Sequence, residues 1–181
     1  MESEISDIMQ NGIPETWNDA RLMQSLHTLE QKGFTKKVTW KQSTKVPDGI
    51  GIFADEPIKK GEAWRVYRNK VNLIIFKDES DVPPLTPSTV EYISHYIYQN
   101  DGALGIRIPG NSMNHSNEAN SMTKRISEEG FHVIATKDIE RGDELLTNYA
   151  AWGSPPEWFL QFAKRNGIWE RLPFKGYNEF V

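Results

Sequence analysis

From Lys37 to Phe76 the apolar residues fall into short runs cut by turn signals, and this punctuation confines the chain to a fold of many short strands. Val38 and Trp40 alternate, IGIFA follows, Trp64 and Val66 alternate again, and VNLIIF closes the series. Pro47-Asp48-Gly49 and Lys59-Lys60-Gly61 supply the turns between them. Further along, LGIRI reads as another strand, NSMTKRI and FHVIAT flank a Ser-Glu-Glu-Gly turn as a hairpin, and ELLTNY completes the strands.

Three helical patterns are inserted among these strands or added at the ends. Thr16 as cap, Asp19 in the first turn, Leu22, Leu26 and Leu29 at helical spacing and Gly33 as stop predict a helix that braces or covers the rest. Residues 77–88 carry acidic side chains and three prolines, as an exposed loop does; Val90, Ile93 and Ile97 then mark an amphipathic helix, with Tyr92, Tyr96 and Tyr98 on or near it. Ser154, Pro155 and Glu157 predict the start of a C-terminal helix, which Gly167 stops and which carries Trp158, Phe159 and Phe162. The pattern is α+β rather than alternating βαβ. It divides into a helical extension over 1–36, a β-rich core over 37–150 and a C-terminal helical segment over 151–181.

The chain has 181 residues and 38% apolar content, enough for one domain with a real core. With no cysteine, a thiol nucleophile, a disulfide and a Cys-based zinc site are excluded. His27, His95 and His132 show no ligand spacing, so no metal is expected. The acidic start MESEISDIMQ is unlike a signal peptide and no apolar run is of membrane-spanning length, so the chain reads as a soluble intracellular protein with no membrane partner. Cytoplasm and nucleus are both left open. A net charge of -4 argues against direct nucleic-acid binding despite Lys32, Lys36, Lys37, Lys41 and Lys45, and suits a basic peptide better.

Three segments carry chemistry: Gly49-Ile50-Gly51-Ile52-Phe53-Ala54, then Asn114-His115-Ser116 with Asn120, then Glu144-Leu145-Leu146-Thr147-Asn148-Tyr149. Glycines at this spacing let backbone groups approach a ligand closely. An asparagine amide both donates and accepts, so Asn114 can hold an ammonium or a carboxylate. Tyr149 is a weak base at neutral pH but a good hydrogen-bonding group.

In this order the three segments resemble the SET-domain family of protein lysine methyltransferases over about Lys45 to Ala150, in particular its small, stand-alone, zinc-free viral and bacterial forms. The resemblance implies a SET fold, β-clip-like, of several short and mostly antiparallel sheets with a knot-like C-terminal segment. It implies S-adenosylmethionine as cofactor, leaving as S-adenosylhomocysteine, and a protein or peptide with an exposed lysine as substrate, a histone tail being one candidate. Gly49, Gly51, Phe53, Asn114 and His115 then hold the cofactor. Tyr149 is the catalytic residue, and Tyr67, Thr147 and Tyr149 line the lysine channel.

The departures from the family pattern are specific. Asn69 stands where a Tyr-x-Gly element would follow Tyr67, and Thr147 where a Phe or Tyr often limits the degree of methylation. The zinc-binding tail is missing, and Trp158 on the C-terminal helix is the candidate to close the site over the adenine or the lysine channel. A SET-like module that has lost catalysis and only binds protein is the alternative reading.

Overall fold

The computed structural model describes residues 2–18, 33–100, 103–108, 113–128, 130–151 and 153–172. Among the described residues ten strands form three small sheets. β1 (Val38–Gln42) and β2 (Ile50–Ala54) make an antiparallel hairpin. β4 (Leu73–Phe76), β6 (Ala103–Arg107) and β5 (Ile97–Asn100) form an antiparallel sheet in that order. The third sheet runs β3-β9-β8-β10-β7, with β3 at Ala63–Arg68, β7 at Asn114–His115, β8 at Ser121–Ser127, β9 at Gly130–Ala135 and β10 at Leu146–Thr147. Its β8–β9 hairpin is the one the sequence predicts, whereas ELLTNY shrinks to the two residues of β10, which pair in parallel with β7 and β8.

Among the described residues the α-helices are α1 (Glu2–Asn11), α2 (Pro87–Tyr96) and α3 (Glu157–Arg165). Among the described residues no helix is long and apolar enough to cross a membrane. Thr86 caps α2 by accepting from Thr89 N, and the chain turns directly into β5, so Ile97 and Tyr98 belong to a strand rather than to the expected helix. Pro156, not Ser154, occupies the cap of α3 and makes no side-chain capping bond. Two successive prolines explain the delay, since each biases the residue before it toward extended backbone. Gly167 ends the helix at φ 66, as predicted.

The N-terminal segment departs further from expectation. Thr16 lies inside a 3-10 turn, Glu15–Asn18, instead of capping a helix. Asp19, Leu22, Leu26 and Leu29 lie outside the described residues. Gly33 adopts φ 85, with the Val66 carbonyl where a Cβ would stand, so only glycine fits. Helix α1, unanticipated, buries Ile5 and Ile8 and leads to the buried Ile13 and Trp17.

The small sheet of β4, β6 and β5 separates two apolar cores, because successive strand residues point to opposite faces. Ile74, Phe76, Leu104 and Ile106 face a core completed by α1, α2 and α3. Leu73, Ile75 and Tyr98 face a second core with Ile52, Trp64, Tyr67, Met113 and Phe131. The segments that carry chemistry meet around this second core.

Candidate functional site

The segment 142–147 threads between the hairpin and the large sheet. On one side Leu145 N donates to Ile52 O at 2.7 Å, Ala54 N to Asp143 O at 3.0 Å and Gly142 N to Ala54 O at 2.7 Å. On the other, Leu146 pairs with Asn114 and Thr147 with His115. Asn120, 6% exposed, clamps the threaded strand from the side: its Nδ2 donates to Glu144 O at 2.8 Å and its Oδ1 accepts from Leu146 N at 2.9 Å. Segments far apart in sequence are thereby fixed against one another by backbone hydrogen bonds.

Glu144 lies at the centre. Its carboxylate, in a residue 6% exposed, accepts from Ser43 Oγ at 2.8 Å, Thr44 N at 2.7 Å, Thr44 Oγ1 at 2.5 Å and Asn114 Nδ2 at 2.9 Å. Burial pushes its pKa up, but hydrogen bonds from Thr44, Asn114 and Ser43 outweigh that and hold it below the usual carboxylate range. Gly51 is required here because a Cβ would collide with the Glu144 carboxylate. Phe53, 2% exposed, pairs with Glu144 through an isolated bridge and lies 4.1 Å beneath Lys41 Nζ. Gly49 sits in the turn before β2, donating to Val46 O at 3.1 Å.

The orientation of the Asn114 amide follows from its neighbours. Nδ2 lies 3.0 Å from Ile50 O and 2.9 Å from Glu144 Oε1, and both of those atoms can only accept. The amide nitrogen therefore faces the protein and Oδ1 is left to accept from elsewhere.

Tyr149 follows the knot in a 3-10 turn, Tyr149–Ala151. Its backbone N donates to His115 Nδ1 at 3.1 Å, its hydroxyl donates to Met113 O at 2.7 Å, and the two rings lie 5.3 Å apart. Burial pushes the phenol pKa up, and the charge of Arg107 opposes this. At neutral pH the hydroxyl is therefore a proton-bearing, oriented donor. Thr147 is buried beside it, and its carbonyl accepts from Ser116 N at 3.0 Å.

Two further expected site residues are buried or half-buried in the two cores. Tyr67 lies within β3 and is 1% exposed, with the Arg65 and Arg107 guanidiniums 4.6 and 4.8 Å from its ring centre. Trp158 packs at the edge of the first core, edge-on to Phe159 at 5.5 Å. Asn69, where a glycine was expected, has a local function: its Oδ1 accepts from Lys70 N and Ile75 N, both at 3.1 Å.

The SET domain family model matches residues 49–150, more than half of the chain. The chain belongs to the SET-domain family. Its α+β fold of short, mostly antiparallel sheets, with β10 threaded between β7 and β8, is that family's fold. Among solved structures it resembles a Chaetomium thermophilum Polycomb Repressive Complex 2 bound to GSK126, at 22% identity and TM-score 0.51 over 71% of this chain and 17% of that one. The same complex in an autoinhibited conformation bound to S-adenosylmethionine aligns at 24% identity and TM-score 0.49, over 73% of this chain and 17% of that one. A Plasmodium falciparum protein, named as a candidate histone methyltransferase, aligns at 23% identity and TM-score 0.45, over 68% of this chain and 98% of that one. The chain thus spans about a sixth of the Polycomb chains it resembles. No curated protein sequence matches it.

Sequence reasoning passed over several residues of this SET site. Ser43 and Thr44 sit in a loop that carries no motif, and Glu144 heads the Glu144–Tyr149 segment without a role of its own. Arg107, inside LGIRI, was taken as one position of an apolar run. An arginine amid four buried strand neighbours was the one available signal that something there holds a charge.

Proposed function

We propose that the chain is a protein lysine methyltransferase that transfers a methyl group from S-adenosylmethionine to a lysine side-chain amine of a protein substrate, with a histone tail as the first candidate. The observation that carries this reading is the convergence of Asn114, His115 and Tyr149 on one knot within the matched SET region. The chemistry of Asn114 fits the cofactor's amino-acid end, because its Nδ2 is held by Ile50 O and Glu144 and its Oδ1 can accept from an ammonium group.

When bound, the cofactor supplies an electrophilic methyl: the amine's lone pair forms the N–C bond, the S–C pair returns to sulfur, and the amine's proton has already gone to solvent. In this reading Asn114 Oδ1 accepts from the ammonium group, and the backbone around Gly49, Gly51 and Phe53 lies along the amino-acid end. His115 contacts the adenine, and Trp158 on α3 closes the site in place of a zinc-binding tail. Residues 1–36 and 151–181 serve as extensions that brace and close the core. Tyr149 fixes the direction of the amine by hydrogen bonding, Thr147 lines the wall beside it, and Tyr67 forms part of the floor.

The test is incubation with methyl-labelled S-adenosylmethionine, core histones and cell extract, with Tyr149→Phe alongside. We expect label on a protein band with the parent chain and roughly a hundredfold less with the variant, while cofactor affinity by calorimetry stays within about threefold. Cofactor binding without any label would instead favour a SET-like module that binds protein without modifying it.

A further inference from the structure

Tyr149 is held at both ends by one short segment of chain. Its hydroxyl donates to Met113 O at 2.7 Å, and its backbone N donates to His115 Nδ1 at 3.1 Å. The backbone prepares this second bond. Thr147 pairs with His115 in register and Ser116 N donates to Thr147 O at 3.0 Å, so the imidazole starts level with β10 and meets the chain two residues further along. There the 3-10 turn Tyr149–Ala151 begins, and the first N–H groups of a helical turn lack partners within it. Side chains take two of them: His115 Nδ1 accepts from Tyr149 N, and Asn148 Oδ1 accepts from Ala150 N at 2.9 Å.

An imidazole nitrogen accepts only while it carries no proton. The neutral ring therefore bears its hydrogen on Nε2, and a ring protonated on both nitrogens would set an N–H against the Tyr149 N–H. The two rings, with centres 5.3 Å apart and planes inclined at 47°, pack against each other, so a rotation of the imidazole is felt by the phenol.

We infer that His115 is a positioning residue for the transfer: by accepting the Tyr149 amide on an unprotonated Nδ1 it caps the turn and fixes where the phenol stands. The inference rests on the methyltransferase reading and extends it, since contact with adenine asks nothing of Nδ1. With its proton committed to Met113 O, the phenol oxygen offers lone pairs to an incoming lysine amine. It accepts an N–H of the amine and leaves the nitrogen lone pair for the methyl. That arrangement needs the ring in one place, and a misplacement of about 1 Å at a reacting centre costs about a hundredfold in rate.

Two variants of the full chain separate this from the adenine contact. His115→Asn places an amide oxygen on Cγ, where the ring carried Nδ1, and so keeps an acceptor for the Tyr149 amide; His115→Leu keeps none. Both lose the imidazole, so calorimetry first sets the S-adenosylmethionine concentration that saturates each. At saturation, label transfer to the histone and extract mixture should fall at least about thirtyfold in His115→Leu and stay within about fivefold of the parent in His115→Asn. Equal losses in the two variants would overturn the inference. Nitrogen NMR gives a reading that needs no activity. The His115 ring of the parent should show its hydrogen on Nε2, and the Tyr149 amide should exchange with solvent at least about tenfold faster in His115→Leu than in the parent. Hydrogen on Nδ1 at neutral pH would overturn the inference even if both variants failed to fold. Absence of transfer by the parent chain with cofactor bound, beside a ring protonated on Nε2, would instead remove the methyltransferase reading on which the inference rests.

Discussion

The knot around Glu144 and the cluster around Arg107 both bury charge, and they accommodate it in opposite ways. Glu144 is saturated with donors from Ser43, Thr44 and Asn114, so its negative charge is dispersed over hydrogen bonds. Arg65 and Arg107 lie over the faces of Phe34, Tyr67 and Tyr98, at 4.3–4.8 Å from the ring centres, so aromatic quadrupoles carry part of their positive charge. The first arrangement is directional and ties three segments of chain together. The second is broader in geometry and gathers side chains from different sheets.

Removing the anion breaks this comparison most severely. Glu144→Ala leaves the Thr44 amide, two hydroxyls and the Asn114 amide without their acceptor inside the knot. We expect a loss of roughly 3–5 kcal/mol in unfolding by urea. A loss below about 1 kcal/mol would show that the donors find other partners and that the carboxylate does not hold the knot.

Acid should act on the two regions differently. The folded-state pKa of Glu144 is depressed, so its contribution is fully present above the unfolded value of about 4.3 and is lost as pH falls through the folded value. The Arg65 guanidinium does not titrate in that range. Glu144→Gln should therefore flatten the decline in stability of the parent chain below about pH 4, while Arg65→Met should leave the slope unchanged. Parallel acid curves for the parent and Glu144→Gln would contradict the assignment.

Replacing the cation sharpens the comparison at smaller cost. Arg65, 1% exposed, has its pKa lowered mainly by burial and further by Arg107, with Tyr67 opposing. Arg65→Met removes stacking on Phe34 and Tyr67 but also removes a desolvated charge. We expect about 1 kcal/mol of destabilisation, well below that of Glu144→Ala. A loss equal to or above that of the Glu144 variant would place the cluster, not the knot, at the centre of stability.

The knot was legible in the sequence and the cluster was not, for physical reasons. Asn114, His115 and Tyr149 sit in short polar motifs, and family resemblance places such motifs together even though spacing alone cannot. Nothing in VYRNKVN or LGIRI shows that Tyr67 and Arg107 will meet, because β3 and β6 lie in different sheets. Periodicity located the strands 38–42, 50–54 and 103–107, yet it could not separate α2 from β5, since Ile97 continues the helical apolar spacing while already standing in the strand. The residues that tether the knot from outside, Ser43 and Thr44, were invisible because their function depends on Glu144 about a hundred positions away.

A third treatment of charge gives the smallest expected effect. Arg165 at the end of α3 pairs with Glu79 at 2.6 Å, and both side chains are more than half exposed. Water and salt screen such a pair, so Arg165→Ala should change stability by less than about 1 kcal/mol, and less again in 0.5 M salt. Helix α3 is held instead by Phe159, Phe162 and Ala163, which are buried in the first core. Cofactor affinity should likewise stay within about twofold, because Trp158 keeps its place through the packing of Phe159 beneath it. If Arg165→Ala weakened cofactor binding tenfold, the ion pair rather than the apolar face would be what sets the closing helix, and the contrast between buried and exposed charge would fail at the one helix proposed to complete the site.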